Sequence, residues 1–125
     1  MHATPRNDEQ HVWPDADEAQ LEGIFAGVAA KALAFGHLHV PYVRVWRERI
    51  LVNVASAGLP KDGDSRAGYA ILTERSGGWE VKHRRVAFDV EEVARDLERS
   101  GIPQLKKRLQ VLRRARYKQL SAFIP

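Results

Sequence analysis

His37 and His39 stand one residue apart, directly after Gly36 and a short apolar run, Ala32-Leu33-Ala34-Phe35. Imidazole nitrogens ligate divalent metals and move protons near neutral pH. Side chains alternate along an extended backbone, so both rings are expected on one side, about 7 Å apart at Cα. So placed, they can share one ion or serve two ions about 3.5–4 Å apart, the spacing two-metal hydrolases use. Neutral imidazole suits Mn, Fe, Co, Ni or Zn better than Mg or Ca. Gly36 carries no Cβ, which lets the backbone crowd a ligand or turn sharply. Alone, a His-x-His spacing fits surface or packed histidines equally well.

The residues that follow add context. Val40-Pro41-Tyr42-Val43-Arg44-Val45-Trp46 leads through Arg47-Glu48-Arg49 to Ile50-Leu51-Val52-Asn53, and Asn53-Val54-Ala55-Ser56 opens a loop. Leu59-Pro60-Lys61-Asp62-Gly63-Asp64 continues it, and Gly68-Tyr69-Ala70-Ile71-Leu72 reads as the next strand. Upstream stands His2-Ala3-Thr4-Pro5. In this order the motifs resemble the C-terminal half of the calcineurin-like metallophosphoesterases. That family has a His-Ala-x-Pro, a last metal motif Gly-His-x-His, an Asn-Pro-Gly-Ser-type loop and a Leu-Pro-x-Asp-Gly-Asp-type loop. The resemblance runs from His2 to about Leu109. Val54 and Ala55 stand where the family has proline and glycine, and Leu38 where threonine is common.

The resemblance implies an α/β sandwich, mostly antiparallel strands with flanking helices, of which this chain is the C-terminal half. It implies two divalent transition ions in the complete site, His39 on the first, and His2 and His37 on the second. A hydroxide bridging them would attack the phosphoester. Gly36, Asn53 and Ser56 would line the loop beside the site, and Lys61 and Arg66 would hold phosphate oxygens, although ordinary loop charges explain those two as well. The family's earlier motifs, Asp-x-His, Gly-Asp-x-x-Asp and Gly-Asn-His-Glu/Asp, are not in the chain. The bridging aspartate is therefore expected from elsewhere, and whether this chain alone is an enzyme is a separate question. Expected partners are a phosphoester substrate and a complementary N-terminal half or a second copy. The other reading is a truncated, inactive or complementing subunit.

The chain of 125 residues, 44% hydrophobic, is long enough for a single modest core. It has no cysteine, which suits a reducing cytoplasm and rules out thiolate ligands. No apolar run reaches the length of a membrane span, and the start does not read as a signal peptide. The net charge of +4 is uneven, −2 over residues 1–60 and +6 over 61–125, with no acidic residue after Glu98. Lys106, Lys107, Arg108, Arg113, Arg114, Arg116 and Lys118 follow, on an expected basic helix at about 103–118. A nucleic-acid-associated module is the reading this run suggests. Only Tyr117 offers a ring for base stacking, so a solvated helix face is the preferred expectation.

The elements that must position the histidines are legible in outline. A helix over Asp15–Ala30, capped by Asp15 with Glu18, would carry Leu21, Ile24, Phe25 and Val28 on one face. Four strands in antiparallel succession are expected at Tyr42–Trp46, Ile50–Val54, Gly68–Thr73 and Trp79–Phe88. Asp89 would cap a second helix with Val90, Val93, Ala94 and Leu97 against the sheet. Pro103 would open the last helix, with Leu105, Leu109 and Leu112 as its apolar seam. His11 and His83 read as surface residues.

Overall fold

The computed structural model describes residues 1–116, in the order α1 (Glu18–Phe25), β1 (Ala32–Phe35), β2 (Tyr42–Trp46), β3 (Arg49–Asn53), β4 (Ala67–Arg75), β5 (Gly78–Val86), α2 (Val90–Arg99) and α3 (Leu105–Arg114). It is a mixed α/β fold with flanking helices.

β3 runs between β1, parallel to it, and β2, antiparallel to it. Leu33, Phe35, Leu51 and Trp46 form one buried face of this sheet, and Leu21, Ile24 and Phe25 of α1 cover them. The helical spacing of the apolar residues thus marks the buried face, with Val28 packed beyond the helix end. α1 is shorter at both ends than the expected Asp15–Ala30. Its cap is Asp17, whose carboxylate accepts from Gln20 N–H while the Gln20 side chain accepts from Asp17 N–H, each at 2.8 Å. Asp15 is not the cap, because Arg44 donates to the Pro14 and Ala16 carbonyls and holds that stretch outside the helix. At the other end Gly27 takes φ +77, a left-handed stop.

The four strands are not one antiparallel succession. β2–β3 and β4–β5 are antiparallel pairs, but β4 and β5 form a separate two-stranded sheet. That hairpin is tied to the first sheet by Gly68 N–H donating to Ser56 O (2.8 Å) and His83 Nε2–H donating to Asn53 O (2.8 Å). His83 is therefore a structural link and not a surface residue.

Asp89 caps α2 by accepting from Glu91 and Glu92 N–H. α2 packs on α3, not chiefly on a sheet. Of its apolar face only Ala94 is buried, with Val90, Val93 and Leu97 half-buried. The Glu91 carboxylate receives both Arg113 Nε (2.9 Å) and Nη2 (2.7 Å), which joins the two helices. α3 starts at Leu105, since Gln104 before it sits at φ +57; Pro103 precedes the cap and is not in the first turn. Leu112 is buried and Leu105 and Leu109 half-buried, as the seam requires. α3 stops at the left-handed Ala115. The part of the expected basic helix after residue 116, with Lys118, and Tyr117 lie outside the described residues.

Ala55, which stands where the resembled family has glycine, holds φ +75, a conformation that costs a non-glycine residue about 1–2 kcal/mol. Its methyl also shapes the neighbouring strand: a Cβ on Gly68 would stand 2.8 Å from Ala55 Cβ. Gly68→Ala is expected to destabilise by about 1–3 kcal/mol through overpacking. Ala55→Gly in the same chain should recover most of it. Urea midpoints of both variants test this, and an unchanged midpoint for Gly68→Ala would contradict the packing.

Candidate metal centre

β1 ends at Phe35, and the chain bends at once. Leu38 N–H donates to Gly36 O at 2.7 Å, and His37 and His39 both take left-handed φ, +61 and +62. The backbone carrying the two histidines is therefore not extended, and simple alternation does not set their directions. Nor does the turn depend on glycine: a Cβ on Gly36 would find only His2 O at 3.6 Å and Ala55 O at 3.9 Å, ordinary contacts. Leu38 between the histidines is buried, while both rings stay half-exposed.

His2 reaches this bend from the other end of the sequence. Its carbonyl accepts from Gly36 N–H at 2.8 Å, and the Met1 amine donates to Ala34 O at 3.1 Å. His2 Nε2 lies 2.9 Å from His37 Nδ1. His37 Nε2 lies 3.0 Å from Glu9 O, which can only accept, so His37 carries its hydrogen there. A neutral His37 then presents Nδ1 as the acceptor of a hydrogen on His2 Nε2. The Glu9 carbonyl is held in place by Asn7, whose Oδ1 accepts from Glu9 and Gln10 N–H and whose backbone exchanges bonds with Thr4.

His39 Nδ1–H donates to Leu59 O at 2.6 Å, which leaves Nε2 as the lone-pair nitrogen of the neutral ring. The His39 carbonyl accepts from Lys61 N–H at 3.0 Å, so Lys61 adjoins the histidines. Its loop is pinned to the end of α3 by Gly63 N–H donating to Ala115 O at 2.7 Å. Arg66 is engaged differently, in a two-pronged pair with Asp64 at 2.7–3.2 Å, and it is not bonded to the histidine group. Asn53 is fully buried beneath the bend, with Nδ2–H donating to Gly36 O at 2.8 Å and Oδ1 accepting from Ala55 N–H at 3.1 Å. Ser56 Oγ accepts from Leu59 N–H at 3.0 Å, on the peptide segment that holds His39.

The residue that spacing does not single out is His11. Its ring lies 4.5 Å from the His37 ring and stacks on Trp13 at 5.6 Å. Nothing in its local sequence marks it, because the Thr4–Asn7 turn, not a periodic element, brings it there.

Burial lowers the pKa of His39 below 6.5, and positive Lys61 and the neighbouring histidines push the same way against the Leu59 bond. Burial, His37 and Lys61 lower that of His11. A histidine with a depressed folded pKa contributes stability that is present above the unfolded value and lost as pH falls through the folded one. In metal-free buffer the urea midpoint is therefore expected to hold from pH 8 to about 6.5 and fall below it. His39→Gln should flatten that fall. An identical decline in the variant would assign it to other groups.

The resemblance implies a divalent metal, and the nitrogens fit part of one shell. Two imidazole nitrogens on a tetrahedral ion at about 2.0–2.1 Å stand about 3.3 Å apart; His2 Nε2 and His37 Nδ1, at 2.9 Å, need only a small opening. His39 offers a third nitrogen of fixed tautomer. Among the described residues no three His, Asp or Glu side chains already converge as a ligand set, and no carboxylate is hydrogen-bonded to these rings.

No family model matches the chain, and no curated protein sequence does. Solved structures do. A metallophosphoesterase from Sphaerobacter thermophilus is 26% identical, with a TM-score of 0.64 over 89% of this chain and 54% of its own. A hypothetical protein from Pyrococcus horikoshii OT3 is 18% identical, with a TM-score of 0.69 over 90% of this chain and 44% of its own. The chain thus folds like part of a metallophosphoesterase and spans about half the length of these structures. No helix among the described residues is long and apolar enough to cross a membrane.

Proposed function

We propose that this chain is the C-terminal part of a metal-dependent phosphoesterase, contributing nitrogen ligands from His2, His37 and His39. The observation that carries the reading is the meeting of His2 and His37, 35 positions apart, at the end of β1, with His39 on the same bend. Bound divalent ions would neutralise charge on the phosphoryl oxygens and acidify water. The chain's own residues orient the rings: Glu9 O fixes His37, Leu59 O fixes His39, and the Gly36 N–H fixes the His2 backbone. Lys61, beside His39, is the phosphate-binding side chain of this reading.

A two-metal site also needs a bridging carboxylate, for which the reading looks to a complementary chain. β1 offers it an edge. β3 takes up the Lys31 and Phe35 carbonyls on one side, while on the other, among the described residues, Met1 and His2 engage only Ala34 O and Gly36 N. Such a partly unpaired edge invites a strand from a partner or from a second copy.

The test is a phosphodiester assay with manganese on the purified chain, alone and with a separately expressed chain carrying the Asp-x-His, Gly-Asp-x-x-Asp and Gly-Asn-His-Glu/Asp motifs. Turnover is expected to be near background alone and to rise with the partner. The His37→Ala/His39→Ala variant should abolish the rise. Turnover that survives in the double variant would defeat the assignment.

A further inference from the structure

The far end of the first sheet carries a second concentration of charge. Lys31 precedes β1, Arg47 and Glu48 form the turn from β2 to β3, and Arg49 opens β3, at the opposite end of β1 from His37 and His39. With Ala29, these residues line a cavity of about 300 Å³, at the lower end of the range for small-molecule sites. Three cations against one carboxylate give the lining a net charge of +2. Trp46, 2% exposed and donating from Nε1–H to Glu18 at 2.8 Å, is a fixed platform for two of them. The Arg47 and Arg49 guanidinium carbons lie 4.9 and 5.3 Å from its ring centroid. Arg47 also pairs with Glu22 at 2.6 Å and Lys31 with Glu48 at 2.7 Å, but exposed pairs contribute little and yield readily to a ligand. Arg49 differs. It is half-buried, and among the described residues its guanidinium has no hydrogen bond and no carboxylate partner. Arginine does not shed its proton, so its N–H donors stay charged beside the cavity. Contact with the indole uses the face of the ring and satisfies none of those donors.

We propose that this cavity binds a small molecule through a phosphate monoester group, held by Arg49, Arg47 and Lys31. Such a group carries about −1.5 to −2 charges at pH 7 and three acceptor oxygens, which match the net charge of the lining and its three cations. A carboxylate offers one charge and two oxygens and would leave a cation unmet. The guanidinium fork suits phosphate oxygens, and the indole steadies both forks before a ligand arrives, which lowers the cost of ordering them. The site does not depend on the reading of the histidines.

Inorganic phosphate is the probe, titrated into the isotope-labelled chain in metal-free buffer at about pH 7.5 and constant ionic strength, and followed by NMR. Saturable shifts are expected at the Trp46 indole N–H and at the backbone amides of residues 29–31 and 47–49. Arg49→Gln and Lys31→Gln are each expected to weaken the affinity by about tenfold, the size of one hydrogen bond to a charged group. The Lys31 side chain is 65% exposed, so its variant reads binding even if Arg49→Gln does not fold. Malonate, a dianion whose charge is split between two carboxylates, should bind more weakly than phosphate. Absence of saturation at these residues, or shifts confined to His37, His39 and Lys61, would overturn the proposal. So would undiminished affinity in Lys31→Gln and in a folded Arg49→Gln, or malonate binding as tightly as phosphate.

Discussion

Replacing Phe25 by alanine is expected to lower stability by about 3–5 kcal/mol, the range for deleting a buried aromatic ring. Phe25 is 0% exposed, with the Phe35 ring 6.1 Å and the Trp46 ring 5.9 Å away, one on β1 and one on β2. It joins the helix to both outer strands of the sheet, so no single neighbour can close the cavity. A domain this size has about 5–15 kcal/mol in all, so the loss is about a fifth of it or more. Val45→Ala is the control: Val45 lies on β2 but is 73% exposed, and its truncation should stay within about 0.5 kcal/mol. Urea denaturation of both variants decides the matter, and equal midpoints would mean that α1 does not seal the core. Because Phe35 is the last residue before the bend, loosening at Phe25 should also reach His37 and His39.

Where apolar periodicity meets a covered surface, the sequence foretells the fold well. Leu21, Ile24 and Phe25 are buried at helical spacing, and β1 spans the apolar run Ala32–Phe35. Periodicity says less about what a face meets, so Val90, Val93 and Leu97 lie towards a helix and are only half covered. Cap positions also escape local reading. Asp15 and Asp17 offer the same chemistry, and the choice falls to Arg44, 28 residues from Ala16 in the chain. At the centre the residue types are legible and the backbone is not. Two non-glycine residues in left-handed φ beside a glycine that has room for a side chain reverse the usual expectation. Asn53, Leu38 and the His2 carbonyl hold that bend, all through contacts or burial that spacing does not encode.

Asn53 gives the sharpest test of that bend. Its side chain is buried, bonded on one side to Gly36 O and on the other to Ala55 N–H, and its carbonyl receives His83 from the second sheet. Asn53→Ala leaves the Ala55 N–H without an acceptor and removes one of the two donors on Gly36 O, the other being Leu38 N–H. A stranded buried group costs about 1–3 kcal/mol and a lost bond about 1, so a loss of about 2–4 kcal/mol is expected. Asn53→Asp separates the two roles. An ionised carboxylate can still accept from Ala55 N–H, but its second oxygen would face the Gly36 carbonyl with no hydrogen between them. Burial without a cation raises a carboxyl's folded pKa above its unfolded value of about 3.9. Stability relative to wild type should then be lost as pH rises through that folded pKa and regained below it, where the protonated acid donates to Gly36 O. Urea midpoints across pH 4–8, each taken relative to wild type at the same pH, would show this as a slope in the Asn53→Asp variant that Asn53→Ala lacks. Metal binding should weaken in both, because Gly36 O anchors the turn from which His37 projects. Full stability and unchanged metal affinity in Asn53→Ala would mean that the bend is held by Leu38 and the His2 carbonyl alone.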